Sequence, residues 1–159
     1  MIVYRLSKWG YVKSAYSGEG GMHSAGRWNP LGVRMAYASS SRPLALLELL
    51  VRIPANDLQK MNQLYALCPA DFPSHLALDL RCFATLPSNW RDVPPPKSTR
   101  DLGRDWISSK ASLALTVPSV LMPTENNYLI DPAHSAHGQL RLLPPEPLSL
   151  DSRVLNLKS

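Results

Sequence analysis

Glu48 is the residue whose surroundings say most about chemistry. It is the single charged side chain in the run Leu44-Ala45-Leu46-Leu47-Glu48-Leu49-Leu50-Val51. A helix that is apolar on nearly every side is buried on most of them. Its carboxylate then has two options. It can occupy a narrow exposed strip and pair with Arg52 one turn later, a contact giving roughly 0.3–0.5 kcal/mol. Or it can sit in the wall of the fold, where an ion needs partners to offset its lost hydration. Candidates for such partners lie upstream. Arg27 follows a glycine-bearing stretch, Ser17 to Gly26. Its planar fork of donors suits phosphate oxygens, and small residues before it let backbone N–H groups approach as well. An arginine in an ordinary surface loop fits the same residues. The stretch has neither the G-x-G-x-x-G fingerprint nor the lysine of a P-loop.

Two further side chains belong to this inventory. Tyr37 can stack its ring on a flat heteroaromatic group, or it can be a core tyrosine with its hydroxyl bonded. Ser119 stands in a Pro-Ser step at the end of an apolar run, and no Ser-His-Asp arrangement can be read around it, so it is not expected to be an activated nucleophile. His23, His75, His134 and His137 show no metal-ligand spacing, and no metal is expected. Cys68 and Cys82 are the only cysteines, which makes neither a zinc pattern nor a disulfide scaffold.

These side chains need elements to position them. Ile2–Leu6 reads as an opening strand. Asn29-Pro30-Leu31-Gly32 reads as a turn, and Met35–Ala38 as a short strand. A serine cap and Pro43 start the Glu48 helix, which runs to about Arg52, before Pro54. Strands are expected near Leu64–Cys68 and Leu76–Leu80. Pro94-Pro95-Pro96 is a stiff spacer within one domain. A second helix is predicted from Ser98 to Lys110, with Ser98 and Asp101 imitating a capping box and Leu102 and Trp106 facing inward. Leu113–Val117 reads as a strand leading into Ser119. Asn126 to His134 reads as a polar loop with an aromatic anchor, and Leu140–Leu143 as a last strand. Helices and strands interleave without βαβ regularity, so the fold class is α+β, in a single domain over residues 1–159.

Composition narrows the function classes. With 159 residues and 45% hydrophobic side chains, the chain can bury a core and is not a disordered tail. Residues 1–56 carry seven basic side chains against two acidic ones, whereas residues 57–159 carry ten of each, so the whole +5 excess lies in the first third. Such an excess attracts anions, whether a phosphorylated small ligand, a nucleic acid or an acidic partner. The basic residues are scattered and lack an aromatic single-strand platform, which disfavours an RNA-targeting protein. No signal peptide and no apolar stretch near 18 residues is visible, so a cytoplasmic protein without membrane attachment is expected.

The segments together resemble the RES-domain family, toxins of bacterial toxin–antitoxin pairs named for an arginine, a glutamate and a serine. The matching stretches are Gly26-Arg27-Trp28-Asn29, Ala45-Leu46-Leu47-Glu48 and Val117-Pro118-Ser119. Val3-Tyr4-Arg5-Leu6, Met35-Ala36-Tyr37-Ala38-Ser39 and Asn127 to His134 follow the same pattern. Asp131 stands where the pattern leads one to expect asparagine, and Cys68 to Pro96 matches loosely. The resemblance implies a fold similar to ADP-ribosyltransferases of the diphtheria-toxin type. It also implies consumption of NAD as substrate with no further cofactor, and neutralisation by an Xre-type helix-turn-helix antitoxin. Nucleic acid would be met only through that antitoxin, and a homodimer is a family-based expectation. Some members degrade NAD by hydrolysis or phosphorolysis, and others modify a protein with ADP-ribose.

The resemblance implies a site made of Arg27, Tyr37, Glu48, Ser119 and Asn127. Glu48 is expected at the ribose hydroxyls and the developing cation, Arg27 at the diphosphate, Tyr37 against nicotinamide or its ribose, and Ser119 near the same sugar, with Asn127 completing the ligand-binding set. That assignment requires Glu48 and Arg27 to face one cleft.

Overall fold

In the computed structural model, which describes residues 1–156, the apolar runs pair into one eight-stranded sheet. The strands are β1 (Ile2–Lys8), β2 (Ala36–Ser39), β3 (Tyr65–Asp71), β4 (Ala77–Asp79), β5 (Ala114–Pro118), β6 (Asn126–Ile130), β7 (Arg141–Leu142) and β8 (Glu146–Pro147). Their order is β4-β5-β6-β2-β1-β3-β7, with β8 also pairing with β3. Only β4 and β5 run parallel. The α+β expectation holds.

Side chains alternate across a strand, and here the alternation sorts the core into layers. Ala36 and Ala38 of β2 join Val3, Ala70, Ala114, Tyr128 and Ile130 beneath one face. Leu115, Val117 and Leu129 point to the other face, where Trp28, Met35, Leu102 and Trp106 cover them. Leu102 and Trp106 come from the long helix Lys97–Ser109, whose buried stripe of Thr99, Leu102, Gly103 and Trp106 has helical spacing. The Glu48 helix, Arg42–Leu50, covers the neighbouring part of the sheet through Leu46, Leu49 and Leu50, which pack with Leu6, Leu58, Met61 and Tyr65. Two helices thus lie over the sheet with the ends of β2, β5 and β6 between them.

β1 and β2 share a single paired position, Tyr4 opposite Ser39. Arg5 bridges the two strands just beyond it, donating from Nη1 to the Tyr37 carbonyl at 2.7 Å. The join in the middle of the sheet therefore leans on one guanidinium.

Several expectations change. Asn126 to Ile130 is a strand rather than a loop, paired on one side with β2 and on the other with β5. Asparagines have poor strand propensity, but two flanking strands satisfy the backbone and Tyr128, Leu129 and Ile130 are buried. The capping box is absent. The long helix starts after Pro96 without a side-chain cap. Ser98 instead bonds Asn89 at 2.9 Å, and Asp101 pairs with Arg104 at 3.0 Å. β3 extends through Pro69 to Asp71, because it lies beside β1 along its whole length. Asp131 has a local explanation. The long helix ends at Lys110 in a left-handed conformation (φ 52°), and the Lys110 ammonium reaches the buried Asp131 carboxylate at 2.7 Å.

Gly103 marks the tightest packing of the long helix, since a Cβ there would collide with the Trp28 carbonyl. Overpacking against backbone costs about 1–3 kcal/mol. Gly103→Ala is expected to lose stability at the upper end of that range in urea titration. An unchanged midpoint would show that the helix has room to move.

Candidate active site

Ser41 caps the Glu48 helix by accepting from Leu44 N at 3.2 Å, and its hydroxyl donates to Glu125 Oε2 at 2.7 Å. Ser40 N donates to the Asn126 carbonyl at 3.0 Å. The start of the helix is thereby tied to β6 and to the loop before it. A carboxylate at that end also complements the helix dipole. Glu48 follows two turns later and reaches back to the same strand and loop.

Glu48 Oε1 accepts from the Ser119 hydroxyl at 2.9 Å and from Asn127 Nδ2 at 2.6 Å. Each donor is itself fixed. Ser119 is fully buried, and its oxygen accepts from Leu121 N and Met122 N, both at 3.2 Å. The Asn127 amide oxygen accepts from the buried Ser39 hydroxyl at 2.8 Å, which orients the amide with its nitrogen toward Glu48. Both bonds fall on Oε1, and Oε2 accepts none among the described residues. The exposed-strip alternative fails in one respect: Arg52 bonds the Glu48 backbone carbonyl at 2.9 Å, not the carboxylate.

Arg27 is held by backbone carbonyls. Its Nη1 donates to the carbonyls of Trp90 at 2.5 Å and Asp92 at 3.0 Å. Thr99 donates to the Arg27 carbonyl at 2.6 Å, and Arg100 to that of Gly26 at 3.2 Å. Burial lowers the Arg27 guanidinium from its ordinary value, and Glu48 is the foremost of the charges that oppose this. Arg27 and Glu48 thus act on one another through space.

Tyr37 has the bonded hydroxyl that the core-tyrosine reading allowed, and its partners lie in the Arg27 loop. Its hydroxyl donates to Asn29 Oδ1 at 2.6 Å and accepts from Trp28 N at 3.1 Å. Burial raises its pKa well above the ordinary phenol, so it stays neutral and able to donate. Gly26 is required beside it, since a Cβ there would stand 2.6 Å from both the Tyr37 hydroxyl and Asn29 Oδ1. Tyr37 is thus a clamp on the Arg27 loop, and any stacking role is left to its ring.

Ser39, Thr99 and the carbonyls of Trp90 and Asp92 were missed by sequence reasoning. Ser39 had a signal: it lies two residues after Tyr37 and must share its face. The others had none, because their contacts span more than 60 residues. A hollow of about 380 Å³ between Tyr4, Arg42 and Glu146 contains none of the site residues. Its Arg42 is already engaged with Glu146 at 2.7 Å and the Tyr4 ring at 4.8 Å. Among the described residues, no group of three or more His, Cys, Asp or Glu side chains is placed to share a metal ion. No helix among them is long and apolar enough to cross a membrane.

A carboxylate held by two neutral donors, with a guanidinium acting on it through space, is suited to a ligand with a developing cation at one end and anionic groups at the other. Comparison with known proteins bears on that ligand. The RES domain family model matches residues 2–151. A protein named Toxin Res from Photorhabdus laumondii subsp. laumondii is 35% identical over 159 residues, covering 99% of each chain. A Toxin Res from Yersinia enterocolitica is 38% identical over 149 residues, covering 94% of this chain and 95% of its own. The Prs ADP-ribosylating toxin of a Sphingobium species is 34% identical over 126 residues, covering 78% of this chain and 76% of its own. Among solved structures, the M. tuberculosis MbcT–MbcA toxin–antitoxin complex matches with a TM-score of 0.74 at 21% identity, over 93% of this chain and 84% of that one. At that identity the likeness shows the fold.

Removing the Tyr37 hydroxyl separates the clamp from the ring. Tyr37→Phe leaves Trp28 N and Asn29 without their partner, an expected loss of roughly 1–3 kcal/mol. Denaturant titration should show that loss, and proteolysis should become faster within residues 24–34. A variant as stable as the parent would refute the clamp.

Proposed function

The chain belongs to the RES domain family, and from that premise we propose that it is the toxin of a toxin–antitoxin pair that binds NAD and breaks its nicotinamide–ribose bond. The observation that supports this best is the tie of Glu48 to Ser119 and Asn127. When the bond between ribose C1′ and the pyridinium nitrogen breaks, its electron pair leaves with nicotinamide. The leaving group departs neutral and needs no strong general acid. The sugar is left oxocarbenium-like, as in glycoside cleavage. A fixed carboxylate close to that sugar attracts it more strongly as its charge grows, which lowers the barrier. An oxygen of water or phosphate then bonds to C1′. Water gives ADP-ribose and releases a proton; phosphate gives the phosphorylated sugar.

On this reading Glu48 presents Oε2 to the ribose hydroxyls and the cation, and Ser119 and Asn127 fix the carboxylate. Arg27 takes part of the diphosphate through the donors it does not spend on Trp90 and Asp92. Tyr37 holds the Arg27 loop with its hydroxyl and offers its ring to the nicotinamide riboside. NAD is the consumed substrate, and no metal takes part. The partner is an antitoxin, for which an Xre-type helix-turn-helix protein that covers this cleft is the proposed kind. Relatives named as toxins, and a structural neighbour that is a toxin bound to its antitoxin, support that partner class.

A second reading is favoured by one relative, whose name describes an ADP-ribosylating toxin. In that case the acceptor oxygen or nitrogen belongs to a protein. Incubation with labelled NAD and cell extract separates the two: label on a protein band supports transfer, and free ADP-ribose or its phosphorylated form supports degradation.

Glu48→Gln tests the central assignment. Glutamine keeps an Oε1 that can accept from Ser119 and Asn127, so the fold is expected to survive. NAD loss by the purified protein, with and without phosphate, should fall by roughly 10²–10³-fold. Parental rates in a folded variant would rule out the carboxylate as the stabilising charge.

A further inference from the structure

Arg27 spends its guanidinium unevenly. Nη1 gives both of its hydrogens to backbone carbonyls, those of Trp90 at 2.5 Å and Asp92 at 3.0 Å. Among the described residues, Nε and Nη2 make no hydrogen bond. Those two nitrogens form the edge of the fork that takes both oxygens of an anion side by side. The protein uses the same edge elsewhere. Arg81 holds Asp79 through Nε at 3.0 Å and Nη2 at 2.7 Å, and Arg153 holds Asp151 through Nε at 2.9 Å and Nη2 at 3.2 Å. An unpaired edge on a loose surface arginine says little. In Arg27 the opposite nitrogen is fixed twice, so the edge has one direction.

The two carbonyls belong to a strap of successive turns over residues 87–92. Trp90 N donates to the Pro87 carbonyl and Asp92 N to that of Asn89, both at 3.0 Å. Asn89 Oδ1 accepts from the Ser98 hydroxyl on the long helix at 2.9 Å. The Trp90 side chain packs against the core cluster that contains Trp28, Leu102 and Trp106. The Arg27 main chain is pinned separately, its carbonyl accepting from Thr99 at 2.6 Å. One residue is thus held at both ends, its backbone by the long helix and its guanidinium by the strap. Trp90 joins the two functions of the strap, since its ring meets the core and its carbonyl grips Arg27.

We propose that Trp90 is a positioning residue for the substrate's diphosphate, its ring seating a strap whose carbonyls turn the Nε–Nη2 edge of Arg27 toward the phosphate oxygens. The inference rests on NAD being the substrate and on Arg27 meeting its diphosphate. An arginine fixed before the ligand arrives has less rotamer freedom to lose on binding. Trp90 acts only through Arg27, so it governs affinity for a phosphate-bearing ligand and leaves the bond-breaking step alone.

The test compares NAD with nicotinamide riboside, which has the same scissile bond and no phosphate. In Trp90→Ala the KM for NAD should rise roughly three- to thirtyfold, the range of the rotamer freedom an arginine regains, with kcat within about twofold. Cleavage of nicotinamide riboside should match the parent. Trp90→Phe, which keeps a ring against the same cluster, should recover most of the affinity for NAD. Should the parent consume NAD and Trp90→Ala keep its KM, Trp90 has no positioning role and the NAD reading stands. The inference is equally overturned if nicotinamide riboside suffers as much as NAD, since the damage is then to the site as a whole. A parent that consumes no NAD removes the diphosphate and this role together. The strap can also be followed with Trp90 intact. Arg91 lies between the two gripping residues and is exposed, so trypsin cleavage after it reports how firmly the strap is seated. Arg27→Ala should speed that cut several-fold. An unchanged rate shows that strap and guanidinium do not hold one another, and the inference falls.

Discussion

The tie between Glu48 and its two neutral donors is the constraint from which the rest of the site follows. A carboxylate on an apolar helix must be compensated, and a direct ion pair with Arg27 or Arg52 was available from the sequence. The structure uses a hydroxyl and an amide instead. The difference matters chemically. An ion pair would cancel the negative charge locally and weaken its pull on a cation forming nearby. Hydrogen bonds from neutral groups fix the carboxylate in place and leave it a full charge to exert. Fixing without neutralising is the property that a charge-stabilising residue needs.

Much of the surrounding structure serves that fixing. The Ser119 hydroxyl can donate to Glu48 because its own lone pairs are taken by two backbone N–H groups. Asn127 can present its amide nitrogen because Ser39 occupies its oxygen. Glu125 and Ser41 join the loop of Ser119 to the start of the helix that carries Glu48. Tyr37 on β2 and Thr99 and Arg100 on the long helix hold the Gly26–Trp28 backbone from two elements. The glycines at 26 and 103 are there because backbone and hydroxyl groups come too close for a Cβ. A displacement of either wall would cost several of these bonds at once, so the cleft is held open by hydrogen bonding rather than by loop stiffness alone.

The sequence was legible where the signal was local. The Glu48 helix, its serine cap and its end before Pro54 rest on neighbouring residues, and Glu48 stood out because nothing near it is charged. Leu102 and Trp106 were found through helical spacing. Asn127 was placed on a loop because two asparagines read as a turn. Its strand exists only because β2 and β5 flank it, and those partners lie 88 and 10 positions away in the register, Ser39 and Val117. The expected capping box failed for the converse reason: Ser98 and Asp101 found partners in Asn89 and Arg104 that local spacing did not weigh. Ser119 could be picked out only through the family resemblance, since nothing in its own neighbourhood marks it. The Tyr37 hydroxyl was assigned to no partner, because which polar atom it meets depends on how the Arg27 loop folds over β2.

The distribution of charge adds an argument about orientation on the proposed reading. On that reading the site is bipolar, with the Glu48 carboxylate tied to Ser119 and Asn127 and the Arg27 guanidinium on the loop that Tyr37 clamps. An oxidised dinucleotide is bipolar too, with a cationic pyridinium at one end and two phosphates in the middle. Binding with the nicotinamide ribose at Glu48 puts each charge against its opposite. The reverse placement would set the pyridinium against arginines and leave the carboxylate facing phosphate, so both contacts would become repulsive. The +5 excess in the sequence draws the anion in from a distance, but it cannot say which end enters first. That selection belongs to the single uncancelled carboxylate, which is why a neutral hydroxyl and a neutral amide hold it in place of a cation.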